Sequence, residues 1–204
     1  MNEEKDKLSK NSIINKRVVL FYGIIFLISL IAGTFFNLIL NDNDSKLISE
    51  YLVNFFTTIK NNDIDYFATF INTTCTNALY VVIIWFLTYT LIGVPIILVI
   101  YFFKVFILGF TLSALITNFK IKGILYSFIF LFPHTIINIF VILILSIISI
   151  YISLKMLEIL KKKKINIGNM IKKHFLLLTI FLLITIITSL YEAILLPKVF
   201  NLLI

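Results

Sequence analysis

Residues 18–40 form a long apolar run without a charged residue, and this run constrains the fold more than any other feature. About 20 such residues in a helix are enough to cross the hydrocarbon core of a membrane. Further apolar runs predict spans at 78–103, 104–120, 123–154 and 175–197. A soluble domain of 204 residues could not bury a chain that is 60% hydrophobic with a mean hydropathy of +1.06. We therefore predict an all-α, polytopic bundle of about five transmembrane helices.

The boundaries of the middle spans depend on a few residues. Lys104 separates the second span from the third, which is then short for a crossing. Gly93 and Pro95 interrupt the second span, and Pro133 predicts a kink in the fourth. The first run is longer than the apolar part of a usual signal peptide, so we expect an uncleaved anchor.

Basic residues predict the orientation of the bundle. They concentrate in the N-terminal segment, residues 1–17, and in the loop at residues 155–174, which contains Lys161 to Lys164. Because cytoplasmic flanks carry an excess of Lys and Arg, we place both segments and the N-terminus inside. Four crossings between them satisfy that arrangement, and residues 41–77 then lie outside.

Several functional classes are excluded or disfavoured by the composition. The 18 Lys and Arg residues are interleaved with apolar runs, so the formal charge of +8 does not indicate a nucleic-acid surface. Cys75 is the one cysteine, which excludes an internal disulfide and a cysteine-rich zinc site. No common catalytic or phosphate-binding motif occurs. We therefore expect a protein that is not an enzyme and has no catalytic residues, metal or cofactor.

The segment at 41–77 contains an amphipathic helix. Apolar residues from Leu47 to Ile59 recur at three- and four-residue spacing, opposite polar ones. One interpretation is a helix that rests on the bilayer or on the protein's own bundle. The other is a docking surface for a partner, with Leu52, Phe55 and Phe56 as candidate contacts.

Glu192 is the most unusual residue, because a carboxylate in an apolar span is costly and usually faces a partner or a cavity. His134 and Asn138 lie four residues apart, on one face of a helix, and are candidates to bond with Glu192. A polar clasp between helices is one interpretation of the three residues. A proton or ion pathway and a carboxylate that reaches water at the interface are the others.

Small residues and prolines predict packing sites and helix breaks. Gly109 and Ser113 form a small-xxx-small pair that permits close helix approach. Gly93, Pro95 and Pro133 are candidate breaks, which shape a bundle but also occur at transporter binding sites.

The central part of the chain resembles the stage II sporulation protein M family. The most specific segments are L-I-G-V-P-I-I-L from residue 91 and G-F-T-L from residue 109, followed by K-G-I-L and F-P-H-T-I-I-N. The ending E-A-x(3)-P at 192–197 is also similar. The matching positions are Asn77, Trp85, Gly93, Pro95, Phe106, Gly109, Phe110, Lys122, Gly123, Pro133 and His134.

The resemblance implies a role in endospore formation. The family member would sit in the mother-cell membrane at the sporulation septum and act as a non-catalytic scaffold or anchor. Its partners would be stage II sporulation proteins D and P, cell-wall hydrolases that degrade septal peptidoglycan during engulfment of the forespore. Membrane lipid and a second copy of the chain are further partners that we consider, and a nucleic acid is not expected. The alternatives are a permease that uses the break at Gly93 to Pro95 and Glu192, and a family relative that acts outside sporulation.

Overall fold

The computed structural model describes residues 16–61, 63–90, 92–131, 133–160 and 167–203. Those residues form helices joined by short turns, and no strand occurs among them. The elements are α1 (Lys16–Leu38), α2 (Asp42–Lys60), α3 (Tyr66–Leu87), α4 (Gly93–Phe119), α5 (Ile121–Leu131), α6 (His134–Leu160), α7 (Ile167–Leu190), a π-helical turn (Tyr191–Leu195) and α8 (Leu196–Leu203).

Five segments are long and apolar enough to cross a membrane, which confirms the prediction of an all-α bundle with about five spans. They are Lys16–Leu38, Tyr66–Leu87, Gly93–Phe119, His134–Ser153 and Gly168–Leu202. Most of the basic N-terminal segment and Lys161 to Lys164 lie outside the described residues. The orientation with the N-terminus inside therefore stays a prediction.

The boundary between the second and third spans is not at Lys104, where the sequence placed it. A turn that follows Leu87 separates α3 from α4, which begins at Gly93, and Lys104 lies near the middle of α4. Gly93 permits this turn, because a Cβ there would collide with the Leu87 carbonyl. Pro95 lies in the first turn of α4, where its missing N–H costs no hydrogen bond. Gly93 and Pro95 thus begin a membrane helix and do not interrupt one.

The predicted kinked helix at 123–154 is two helices. Lys120 ends α4 with a positive φ of 53°, and α5 then folds back along the end of α4. Gly123 permits the close approach, because its Cβ would collide with the Leu115 carbonyl. α5 has 11 residues, too few to cross a membrane. Pro133 lies between α5 and α6, and α6 provides the fourth span.

The crossing of α1 and α4 depends on glycine. A Cβ at Gly33 would meet the Phe106 carbonyl, and one at Gly109 would meet the Leu30 carbonyl. Asn37 on α1 donates a hydrogen bond to Ser113 Oγ on α4, at 3.1 Å. Small residues at these positions let the two backbones approach closely, as expected where lipid gives no hydrophobic drive for helix association.

The amphipathic helix α2 packs on the protein's own bundle. Leu52, Phe56 and Ile59 are buried. The Phe56 ring contacts several aromatic rings from α4, α5 and α8, including that of Phe200 at 5.0 Å between centroids. Leu52 and Phe56 therefore cannot be the partner contacts that the sequence suggested, because their side chains are already covered. Phe55 remains 42% exposed.

The last span begins before the predicted residue 175, since α7 starts at Ile167. Its regular helix is interrupted by the π-helical turn, which ends just before Pro197. A proline inside a helix removes a hydrogen bond and clashes with the preceding turn, and a wider turn relieves both effects. The segment nevertheless continues through α8, so its apolar length covers one crossing.

Candidate functional site

A cavity of about 850 Å³ lies among α2, α3, α4, the end of α5, the start of α6, the π-helical turn and the start of α8. Its apolar wall includes Ile107, Leu108 and Phe130. Its polar wall is unusual for a membrane bundle, because it contains both charged side chains and neutral hydrogen-bonding groups. The polar residues that line it are Thr58, Asp63, Asp65, Thr69, Asn72, Thr73, Thr76, Asn77, Lys104, Thr111, His134, Thr135, Asn138 and Glu192.

One face of α3 supplies a continuous polar stripe along this cavity. Thr69, Asn72, Thr73, Thr76 and Asn77 recur at three- and four-residue spacing, so they share a helix face. The sequence prediction placed these residues outside the membrane, because it rested on how polar they are and not on their three- and four-residue spacing. The structure places them in the first half of an apolar span, on the face that lines the cavity.

Lys104 lies at the deep end of the stripe. Its Nζ donates a hydrogen bond to Asn77 Oδ1 at 3.2 Å and lies 4.3 Å from the centroid of the Tyr80 ring. A lysine at the centre of a membrane helix costs about 2.5–3.5 kcal/mol by insertion scales. The amide and the aromatic face partly offset that cost. The sequence interpretation missed this residue because it treated Lys104 as a span boundary.

Glu192 faces the same cavity from the π-helical turn. Its Oε2 lies 3.6 Å from Nε2 of His134, and its side chain is 28% exposed. His134 Nε2 also lies 3.1 Å from the Thr135 hydroxyl. Isolated π-helical turns occur frequently at functional sites, where they change the direction of a side chain. This turn sets the position of the carboxylate relative to α6.

Asn138 has a different partner from the one expected. Its Oδ1 accepts a hydrogen bond from Thr188 Oγ1 at 2.9 Å, which joins α6 to α7. The structure thus brings His134, Asn138 and Glu192 to one cavity wall, but Asn138 does not bond directly to the other two. We refer to Asn77, Lys104, His134, Asn138 and Glu192 as the cavity cluster.

Lys104 and Glu192 both line the cavity. They do not form an ion pair within 4.0 Å, since among the described residues the contact at Glu192 is to His134. Within the part of the chain that the structure describes, no group of three His, Cys, Asp or Glu side chains could hold a metal ion. The cluster therefore offers separated opposite charges and neutral hydrogen-bonding groups.

A second polar cluster lies at the other end of α3. Tyr89 Oη and His174 Nδ1 are 2.8 Å apart, and the His174 ring stacks on Trp85 at 5.8 Å between centroids. We refer to Trp85, Tyr89 and His174 as the ring cluster. His174 is only 1% exposed, so it is enclosed by the bundle and is not part of an exposed polar rim.

Two hydrogen bonds join the C-terminal end of α3 to α6 beside the ring cluster. Thr88 Oγ1 and Ser149 Oγ are 2.7 Å apart. Ser153 Oγ donates to the Thr88 carbonyl, also at 2.7 Å. These bonds satisfy the carbonyl and the hydroxyl at the end of α3 without water.

The comparison with protein families gives one result that covers most of the chain. Residues 22–197 match the family described as stage II sporulation protein M. Comparisons with curated proteins and with solved structures found no match. The matched region contains all five candidate spans for most of their length, α2, and both polar clusters. The chain is therefore a multi-pass membrane protein that belongs to the stage II sporulation protein M family.

Proposed function

We propose that this chain is a non-catalytic membrane anchor for the hydrolases that degrade septal peptidoglycan during engulfment. Membership of a sporulation membrane-protein family supports the cellular process. The partners implied by the family resemblance are stage II sporulation proteins D and P, and the site is the mother-cell membrane at the septum. The observation that carries the proposal is an exposed apolar row on α2.

That row consists of Leu47, Tyr51 and Phe55, which lie four residues apart along one side of the helix. Their exposed fractions are 64%, 71% and 42%. On the adjacent side, Leu52 and Phe56 fix α2 to the bundle. A helix that is held rigidly and still presents a row of large apolar side chains resembles one half of a helix-in-groove interface.

The predicted orientation places this row on the side of the membrane where the hydrolases act. If the basic segments lie in the cytoplasm, α2 lies on the outer side of the membrane, because it follows the first span. Peptidoglycan and its hydrolases are on that side. Lys46 and Glu50 flank the row and are exposed, so a partner with polar groups around an apolar contact would fit.

The test is a pull-down of the tagged chain from sporulating cells, with the two hydrolases quantified by mass spectrometry. The triple variant Leu47→Ser, Tyr51→Ser, Phe55→Ser should recover at least tenfold less of both hydrolases than the wild type. Val53→Ser is the matched control, because Val53 is 45% exposed but lies on another side of α2. The control should recover wild-type amounts.

Membrane insertion and oligomeric profile are measured for each variant, so that a folding defect is recognised. If the wild type recovers neither hydrolase while other membrane complexes survive, the anchor function is refuted. If the wild type recovers both and the triple variant does so equally well, the function stands and the docking row is refuted.

A further inference from the structure

Helix packing alone does not explain why two side chains of opposite charge line one cavity. Lys104 and Glu192 both line the cavity, on α4 and on the π-helical turn. Lys104 has three donor hydrogens, and Asn77 accepts one of them. Glu192 has two acceptor oxygens, and among the described residues the basic group within 4.0 Å of them is His134, which carries a charge only when it is protonated. Both charged groups therefore keep hydrogen-bonding capacity for another molecule.

The size of the cavity limits what that molecule can be. Small-molecule sites in proteins usually have volumes of about 300–1,000 Å³, and this cavity of about 850 Å³ falls in that range. The polar stripe on α3 extends from the deep charges toward the end of the cavity where Asp63 and Asp65 lie. A polar solute or headgroup could follow that stripe without losing all its hydrogen bonds at once.

The charges limit the chemistry further. At the end of the cavity away from Asp63 and Asp65, a simple cation would be repelled by Lys104, and a simple anion would be repelled by Glu192. A neutral polar molecule would leave both groups without a contacting group of opposite charge in a poorly solvated place. A molecule with one ammonium and one anionic group satisfies both at once. His134, which is buried and has an Nδ1 atom without a hydrogen-bond partner among the described residues, adds a polar group to the same wall.

We propose that the cavity binds a zwitterion, with its ammonium group at Glu192 and its anionic group at Lys104. This chemistry has two sources: a free amino acid or short peptide, and the headgroup of a zwitterionic lipid. The apolar wall at Ile107, Leu108 and Phe130 would contact the rest of the molecule in either case. The proposal does not rest on the anchor function, because it concerns the charged groups of α4 and the π-helical turn, although Tyr51 and Phe55 of the α2 row also line this cavity.

The experiment uses the full chain in nanodiscs of phosphatidylglycerol. Alanine, dialanine and phosphorylethanolamine are the soluble probes, and binding is measured by isothermal titration calorimetry. In a second arm, phosphatidylethanolamine replaces half of the lipid, and native mass spectrometry counts the molecules retained by each chain. Saturable binding of a soluble probe identifies a free solute, and retention of one phosphatidylethanolamine per chain identifies a headgroup. If neither occurs, the proposal is overturned.

Substitutions assign the binding to the cavity. Lys104→Met and Glu192→Gln should each weaken binding at least tenfold. Lys122→Met and Glu50→Gln are the matched controls, because both side chains are exposed and neither lines the cavity. The controls should bind as the wild type does. Equal binding by the cavity variants would overturn the proposal.

Cysteine protection gives an answer even if the charge variants do not fold. In a Cys75→Ser background, Thr76→Cys places a thiol on the polar stripe, and Val82→Cys places one on the exposed apolar side of α3. The bound probe should slow maleimide labelling at Thr76→Cys at least fivefold and leave that at Val82→Cys unchanged. Unprotected labelling of Thr76→Cys at a saturating probe concentration would contradict the proposal.

Discussion

The cavity cluster and the ring cluster both place a histidine inside a membrane bundle, but they treat it differently. His174 is enclosed by an aromatic ring and a phenol, with its Nδ1 satisfied at 2.8 Å. His134 borders a cavity of about 850 Å³ and lies 3.6 Å from a carboxylate. The ring cluster contains no acidic or basic side chain of fixed charge, and the cavity cluster contains one of each sign.

This difference in surroundings indicates the role of each cluster. A hydrogen bond that is enclosed by packing joins helices, and the buried groups around it, such as His174 Nε2, are not accessible to another molecule. Charged groups beside a cavity keep such capacity, at the cost of placing charge at membrane depth. The ring cluster therefore seals one end of α3 against α6 and α7, and the cavity cluster keeps the other end open to a ligand. The same helix supports both, because the polar stripe lies on one face near its start and Trp85 of the ring cluster lies near its end.

Replacing each histidine by alanine gives the largest expected difference between the clusters. His174→Ala removes a stacked ring and a hydrogen bond from closed packing, so we expect the free energy of unfolding to fall by roughly 2–4 kcal/mol. His134→Ala should cost about 1 kcal/mol or less, because water can fill space that already borders a cavity. The measurement is the folded fraction against SDS mole fraction for both variants.

Thr179→Ala is the control for this pair, because Thr179 lies on α7 and its hydroxyl bonds within its own helix, to the Phe175 carbonyl. It should change the free energy of unfolding by less than about 0.5 kcal/mol. Equal losses for His174→Ala and His134→Ala would show that the two environments are packed alike. The contrast between a closed and an open cluster would then be wrong.

The interhelical hydroxyl bonds test the same contrast with a smaller effect. Double-mutant cycles measure the coupling of Thr88 with Ser149 beside the ring cluster, and of Asn138 with Thr188 at the cavity. Such bonds in membranes average roughly 0.6 kcal/mol and reach about 1.7. We expect the coupling energy of Thr88 with Ser149 to lie near the upper value. That of Asn138 with Thr188 should lie near the lower value, because water in the cavity competes for Asn138. The reverse order would indicate a dry cavity.

Much of this architecture could be predicted from apolar runs, and the failures share one cause. Span counting depends on the length of apolar segments, so it found five crossings. It divides spans at charged residues, so it placed a boundary at Lys104. The competing signal was local: Gly93 and Pro95 are turn and helix-start residues, and they mark the true boundary between α3 and α4.

The candidate site was predicted only in part for the same reason. His134 and Glu192 stand out because they are ionisable residues inside apolar runs, and their contact needs only that α6 and α7 be neighbours. The stripe from Thr69 to Asn77 does not stand out by polarity alone. Its three- and four-residue spacing could have identified a membrane helix with one polar face. The spacing that identifies α2 at residues 47–59 therefore also occurs at residues 66–77.

The smallest expected effect is the pH dependence of the Tyr89 contribution. Burial raises the pKa of the Tyr89 hydroxyl above its ordinary value of 10.0. The folded chain therefore holds this proton more tightly than the unfolded chain does, and the stabilisation is fully present below pH 10 and declines as the pH rises above it. Tyr89→Phe cannot ionise and should lack this decline.

The measurement compares the SDS unfolding midpoints of the wild type and Tyr89→Phe at pH 8 and pH 11. Lysines titrate in both proteins over this range, so the difference between the two midpoints isolates the phenol. That difference should favour the wild type at pH 8, because the phenol satisfies His174 Nδ1, and should shrink at pH 11. A difference that stays constant would mean that Tyr89 ionises as easily in the folded chain as in the unfolded one. Water would then reach the ring cluster, and the seal at this end of α3 would be no tighter than the cavity at the other.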